Sequence, residues 1–275
     1  MTFDEIIARL ERAGIEDPKA EAISIMREIG VSYGQIVFFR GKDYSDDRLE
    51  QIVSKREARI PLQYATQRAC FMDSELYVTP DCLIPRPDTE ILVYEALKYL
   101  EKGNIVADLC TGSGCIGLSI LKEKCTLEKM YLVDISAPAL EVAQENAKRL
   151  RLTNKCELVN ADVTSYAFPE RLDMIVANPP YIVSEDIEDL SDEVKKEPRI
   201  ALDGGVDGLD IIRPLIENAP GQLKEKGYIL IEFGFDQGHR IRQIMDEKLT
   251  QGSFVSYKIL KDYGGNDRVL VAQVK

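Results

Sequence analysis

Ile105-Val106-Ala107-Asp108-Leu109-Cys110-Thr111-Gly112-Ser113-Gly114-Cys115-Ile116-Gly117 reads as a strand, a tight glycine turn and the start of a helix. Glycines here let the backbone turn sharply and let a ligand approach it closely, at the carboxyl edge of a sheet. Gly112-x-Gly114-x-x-Gly117 is a literal GxGxxG, which alone is weak evidence for a dinucleotide site. About 20 residues further on, Asp134 closes the next strand-like run, where a carboxylate accepts both hydroxyls of a ribose. The two features together predict a nucleoside ligand without choosing among nucleosides. Asp162, after the third strand-like run, is placed either to meet an adenine amino group or to cap its own loop.

Around this stretch the chain alternates. Strand-like runs at Ile105–Leu109, Met130–Val133, Glu157–Val159, Met174–Ala177 and Tyr228–Phe233 are separated by helical stretches, clearest at Pro138–Leu150 and Leu209–Leu223. Such alternation predicts parallel strands joined by right-handed crossovers. Phe254–Leu260 and Val269–Val274, joined across Gly264-Gly265-Asn266, predict a closing hairpin with one antiparallel strand. The fold class expected is α/β, a doubly wound Rossmann-like sheet of seven strands. Residues 1–70 read instead as a small helical domain. Phe3, Ile6, Ile7 and Leu10 recur at helical spacing, a second helix ends at Gly30, and Asp46 caps a third that carries Leu49, Ile52 and Val53. Residues 71–87 read as an extended, hairpin-like linker with a Pro80-Asp81 turn and a second piece at Cys82–Ile84. Residues 88–275 form the α/β domain, opened by an amphipathic helix through Leu100 that Asp88 or Thr89 caps.

The bulk numbers exclude several classes. The chain has 275 residues, 45% of them apolar and 30% charged, as in an ordinary globular protein. It has no apolar run of the ~20 residues that span a bilayer and no signal-peptide h-region, so a cytoplasmic location is expected. Its 35 basic and 47 acidic residues give a net charge of −12, which opposes a large nucleic-acid footprint. The six cysteines form no CxxC pair and no metal-ligand spacing, so no metal is expected and the thiols read as reduced. The single histidine, His239, lies at the start of a polar helix and is expected to face solvent rather than to act as a base.

The fourth strand delivers Asn178-Pro179-Pro180-Tyr181 to the same sheet edge. A glutamine or adenine NH2 is planar because its lone pair is delocalised, and it is a poor nucleophile for that reason. The Asn178 side-chain oxygen and the Pro179 carbonyl are placed to accept its two N–H bonds, fixing the nitrogen in line with an electrophilic methyl sulfonium. Paired prolines hold φ near −65° and stiffen the loop before substrate arrives. Tyr181 offers a ring against which a planar amide or base can lie.

With these residues in hand, the chain resembles the bacterial peptide chain release factor glutamine N5-methyltransferases. Matching segments are Pro61-Leu62-Gln63-Tyr64, Leu83-Ile84-Pro85-Arg86-Pro87-Asp88-Thr89-Glu90, Asp108–Gly114, Asn178–Tyr181, Glu197-Pro198 and Ala201-Leu202-Asp203-Gly204-Gly205-x-Asp207-Gly208-Leu209. Asn-Pro-Pro-Tyr is shared with adenine-N6 and cytosine-N4 DNA methyltransferases, so it does not separate glutamine from adenine. The resemblance implies a class I methyltransferase sheet and S-adenosyl-L-methionine as cofactor. It implies transfer to the glutamine of the Gly-Gly-Gln loop of class 1 release factors, with the helical domain docking that partner. It places the cofactor on Cys110, Thr111, Gly112, Ser113, Gly114, Asp134, Asp162 and Val163, with Asn178 at its edge, and the acceptor glutamine on Asn178, Pro179, Pro180 and Tyr181. Cys110 departs from the family's first loop glycine, and Val163 from the aromatic some relatives carry. Neither a membrane nor direct nucleic-acid binding is expected. An adenine-N6 methyltransferase is the alternative, and a dehydrogenase would leave Asn178–Tyr181 without a purpose.

Overall fold

A computed structural model describes residues 1–39 and 41–275, and the chain divides into two compact units. The first comprises Met1–Arg68 together with Ser191–Lys196. It holds α1 (Phe3–Arg12), α2 (Pro18–Glu28), α3 (Tyr33–Phe38), α4 (Asp47–Glu57) and α5 (Leu62–Thr66). The first four starts are chemically marked. Thr2 and Ser32 close capping boxes with Glu5 and Gln35, while Asp17 and Asp46 accept backbone N–H groups at the other two long starts. Phe3, Ile6 and Leu10 meet Ala22, Ile25 and Met26 and then Leu49, Ile52 and Val53 in one apolar core. Buried Arg56 is neutralised by Glu21 and by Glu193, the latter from the returning segment. The six-residue α3 has too short a period to be read in the sequence.

The second unit, Ala69–Leu190 with Glu197–Lys275, carries the sheet. Its strands are β3 (Ile105–Leu109), β4 (Lys129–Asp134), β5 (Cys156–Asn160), β6 (Leu172–Ala177), β7 (Leu223–Glu232), β8 (Phe254–Lys261) and β9 (Asp267–Val274). They lie in the order β5-β4-β3-β6-β7-β9-β8, with β9 antiparallel to both its neighbours and the others parallel. Alternate residues of each strand feed opposite faces. Val106, Leu132 and Val176 pack with α6 (Glu90–Ala96), α7 (Cys115–Glu123) and α8 (Ala137–Arg149), whereas Ala107, Leu109 and Ile175 pack with α9 (Ile212–Gln222) and α10 (Gly238–Thr250). His239 is exposed on α10.

Two expectations change here. Residues 71–87 are part of the second unit rather than a linker. The ribbon pairs β1 (Arg68–Phe71) with β2 (Ser74–Tyr77), and Cys82–Ile84 joins no strand because the Ile84 N–H donates to the Glu197 carboxylate, 3.0 Å away. The helix expected through Leu100 is a 3-10 turn at Pro87–Thr89 followed by α6, with no side-chain cap from Asp88 or Thr89. No helix among the described residues is long and apolar enough to cross a membrane.

One side chain ties β2 to the sheet. Asn146 of α8 is fully buried; its Oδ1 accepts from Tyr77 N at 2.7 Å, and its Nδ2 donates to Tyr77 O and Ser113 O, both at 2.9 Å. Asn146→Ala leaves three backbone groups without this partner, the Ser113 carbonyl buried and the two of Tyr77 part-buried, at ~1–3 kcal/mol each when unsatisfied. Urea unfolding should show a loss of roughly 3 kcal/mol or more, against little change for a substitution at exposed Glu141 on the same helix.

Candidate active site

The strand order reverses between β3 and β6, where a doubly wound sheet opens a crevice at its carboxyl edge. Leu109 of β3 stands opposite Val133 of β4 and Ala177 of β6, so three loops start side by side. A cleft of about 490 Å³ opens there, a usual size for a small-molecule site.

The glycine loop is locked from beneath by Asp108. This carboxyl is fully buried; its Oδ2 accepts from the Thr111 hydroxyl at 2.6 Å and from Gly117 N at 2.9 Å, while Oδ1 has no partner. Burial pushes its pKa up to about 7, against the pull of those two donors. Gly114 takes φ +81° as the N-cap of α7. Cys110 takes φ +57°, a left-handed conformation that costs an L-residue about 1–2 kcal/mol and explains why glycine suits this position. Asp134 receives Gly112 N on Oδ2 and Ser136 N on Oδ1, each at 2.9 Å, and burial raises its pKa. Each of its oxygens keeps a lone-pair direction for a further donor.

The second loop leaves β6 as Asn178-Pro179-Pro180-Tyr181 and is clamped by two distant segments. Ile182 N donates to Leu202 O and Gly204 N returns to Ile182 O at 2.8 Å. A Cβ on Gly204 would sit 2.7 Å from Tyr181 Cα, so only glycine allows this approach. Gln237 Nε2 donates to the Tyr181 carbonyl at 2.8 Å. Asn178 Nδ2 donates to Thr89 Oγ1 at 3.3 Å. Arg86, at the cleft, is paired with buried Glu197, which also holds Ile84 N.

Of the residues singled out in the sequence, Cys110, Thr111, Gly112, Ser113, Asp134, Asp162, Val163, Asn178 and Pro180 line one cleft. Gly114 and Pro179 are not among its lining residues. Tyr181 does not line it: its ring packs against the core and its hydroxyl donates to Glu232 Oε1 at 3.3 Å, so the platform expected of it is replaced by an anchor. A buried phenol takes a partner, and here that partner lies inside the sheet edge. Asp162 caps its own turn through Thr164 N and Oγ1, and that bonding holds its pKa low; its carboxylate also borders the cleft. Sequence reasoning gave no role to Arg86, Ser136 or Ile200 and only a helix cap to Thr89, all of which also line the cleft. The Arg86–Glu90 and Ala201–Leu209 segments were the available signal.

The family described as methyltransferase small domain matches residues 87–260. A release factor glutamine methyltransferase of Moorella thermoacetica is 37% identical over 98% of this chain and 95% of its own length. One from Neisseria gonorrhoeae is 33% identical over 99% and 98%, and one from Rhodospirillum rubrum 35% over 96% and 82%. The chain belongs to the release factor glutamine methyltransferase family. As such it is an S-adenosylmethionine-dependent methyltransferase. The fold is shared more widely: ribosomal protein L11 methylase from Lactobacillus delbrueckii subsp. bulgaricus superposes with a TM-score of 0.50 at 23% identity, covering 69% of this chain and 80% of that one. A tRNA m1G37 methyltransferase from M. jannaschii gives 0.50 at 17% identity, covering 76% and 56%.

In this family member the buried Asp108 carries a pH signature. Its folded pKa of about 7 lies above the unfolded ~3.9, so the fold favours the protonated form. That stabilisation is complete below about pH 4 and is lost as pH rises through about 7. Asp108→Asn removes it. Urea midpoints should therefore fall more steeply from about pH 5 to about pH 8 in the wild type than in D108N.

Proposed function

We propose that the protein transfers the methyl group of S-adenosylmethionine to the side-chain nitrogen of the glutamine in the Gly-Gly-Gln loop of class 1 release factors. The observation that carries this reading is the meeting of Asn178 and Pro180 with Asp134 and Gly112 around a single cleft. When bound there, S-adenosylmethionine supplies the electrophilic methyl of a sulfonium. The cleft suits such a cation, since Asp81, Asp134, Asp162 and Asp203 line it against Arg86 and Arg199. Asp134 would take the ribose hydroxyls, Asp162 and Val163 would border the adenine, and Cys110 to Gly114 would follow the remainder of the ligand. Buried Ser113 Oγ, which has no protein partner, is a further polar atom of that loop.

Asn178 and the Pro179 carbonyl act on the acceptor. Two acceptors on one NH2 align its nitrogen and favour the positive charge that develops on it during transfer. The prolines and the Gly204 clamp set that carbonyl direction in advance, so little ordering remains to be done when substrate arrives. Proton loss from the charged N-methyl amide to water completes the reaction.

The helical unit would dock the release factor. Tyr33, Val37, Phe38 and Phe39 are all more than half exposed there, with Phe38 at 83%, an apolar patch suited to a protein partner. Glutamine rather than adenine is favoured by the net charge of −12 and by the acidic cleft. A cytoplasmic location goes with a translation factor as substrate.

Mass spectrometry of a release factor's Gly-Gly-Gln peptide should show one methyl on the glutamine after incubation with enzyme and cofactor. Methylation of adenine in DNA or RNA, with the peptide unchanged, would replace this reading by the nucleic-acid one. Asn178→Ala should lower turnover ~10²-fold or more while S-adenosylmethionine binding by calorimetry stays close to wild type. Asp134→Ala should do the reverse, weakening cofactor binding roughly 10- to 100-fold through lost charge-assisted hydrogen bonds.

A further inference from the structure

Two buried side chains behind Asn178 are left unused by the chemistry above. Thr89 is 1% exposed and ends the 3-10 turn at Pro87–Thr89, facing the cleft; Glu232, also 1% exposed, ends β7. Asn178 Nδ2 donates to Thr89 Oγ1 at 3.3 Å. The Thr89 hydroxyl lies beside the Glu232 carboxyl, whose Oε2 is buried and has no hydrogen-bond partner, an open acceptor for the Thr89 proton. Tyr181 donates its hydroxyl to Glu232 Oε1 at 3.3 Å.

The order of donors follows from counting protons. A threonine hydroxyl has one, and a carboxylate can only accept it. With that proton turned to Glu232, Thr89 Oγ1 can only accept, so the carboxamide beside it must present its NH2. Asn178 is thereby held with Oδ1 toward the cleft, where an acceptor amide offers an N–H. The flipped carboxamide would present N–H to N–H, repelling the substrate. We propose that Thr89 and Glu232 are positioning residues that fix the direction of the Asn178 carboxamide, so that its oxygen and not its NH2 meets the methyl acceptor. This rests on the amide-methylating reading above and names the residues that enforce it.

The device depends on the charge of Glu232. A protonated carboxyl no longer requires the Thr89 proton, which can then turn to Asn178 Oδ1 and release the amide to flip. The charged and titratable groups facing Glu232 are Arg268 of β9, Asp88 beside Thr89, Tyr181 of the acceptor loop and Cys115 at the start of α7. Arg268, Thr89 and Tyr181 favour the ionised form and Asp88 opposes it; burial outweighs them and brings the carboxyl to about 7. Turnover should accordingly fall as pH drops through that region.

The experiment compares wild type with Thr89→Val, Thr89→Ser and Glu232→Gln. Turnover on a release factor is measured across pH, and S-adenosylmethionine affinity by calorimetry in parallel, which also reports that each variant is folded. T89V keeps the shape of threonine and loses its hydroxyl; its turnover should drop ~10-fold or more with cofactor affinity unchanged, because a misaimed contact costs up to about 10²-fold. T89S should recover most of the loss. The acid limb near pH 7 in the wild type should be absent from E232Q. Wild-type turnover in T89V, a T89S variant as poor as T89V, cofactor affinity falling in step with turnover, or an acid limb that persists in E232Q would each overturn the positioning role. A wild type that leaves the release factor unmethylated overturns the acceptor reading instead.

Discussion

The parallel register that sets Leu109 opposite Ala177 is the constraint on which the rest of the site depends. β3 and β6 are distant in sequence, yet the residues after their last paired positions are Cys110 and Asn178. A slip of one residue would turn every side chain to the other face. Such a slip is prevented by the two-sided core: Val106 and Val176 belong to one apolar layer, Ala107 and Ile175 to the other. Burying each valine or isoleucine contributes roughly 1.5–3 kcal/mol, so the register is specified many times over. The glycine loop and the Asn178 loop thus meet because of hydrophobic burial in the two strands that precede them.

Given that register, the loops still need stiffness. It comes from segments that the strand pattern does not predict. Glu197, at the end of a return from the first unit's segment, holds both Arg86 and the Ile84 backbone. Gly204 presses on the Tyr181 backbone, and Gln237 binds its carbonyl. Segments that looked separate in the sequence, Arg86–Glu90, Glu197-Pro198 and Ala201–Leu209, therefore serve one purpose. They brace the loop that carries Asn178.

Much of this architecture was legible beforehand. β3 was read to the residue, and β4, β5, β6, β8 and β9 fell within two residues of the runs expected; β7 begins five residues before its expected run, because its first half, Leu223-Lys224-Glu225-Lys226-Gly227, is mostly polar and exposed. Asp46 as a cap was legible for a local reason, since its side chain satisfies Arg48 N and Leu49 N. What escaped depends on contacts distant in sequence. Cys82–Ile84 has strand-like composition, but its backbone is claimed by Glu197, and no local pattern announces that. Tyr181 was read as a substrate platform because tyrosine beside a site often is; only the position of Glu232 on the adjoining strand shows where the hydroxyl goes. Thr89 was visible as part of a motif and read as a helix cap, a bond its side chain does not make, because its meaning lies in the proton it can give to one neighbour only.

The same edge of the sheet is where the structure departs most from its own rules. Four buried side-chain atoms among the described residues lack a partner, and three of them are Asp108 Oδ1, Ser113 Oγ and Glu232 Oε2. Two of these belong to carboxyls that burial lifts to about 7. Each unsatisfied group costs about 1–3 kcal/mol, and Cys110 adds backbone strain in the same loop. Elsewhere most charges are paired, and α1 to α4 and α8 begin on side-chain caps. A fold selected for stability alone would have replaced these acids with apolar residues of similar volume. Their presence where two loops border one cleft fits polar groups held ready, out of water, for partners that arrive with a substrate or for a direction that must be imposed on it.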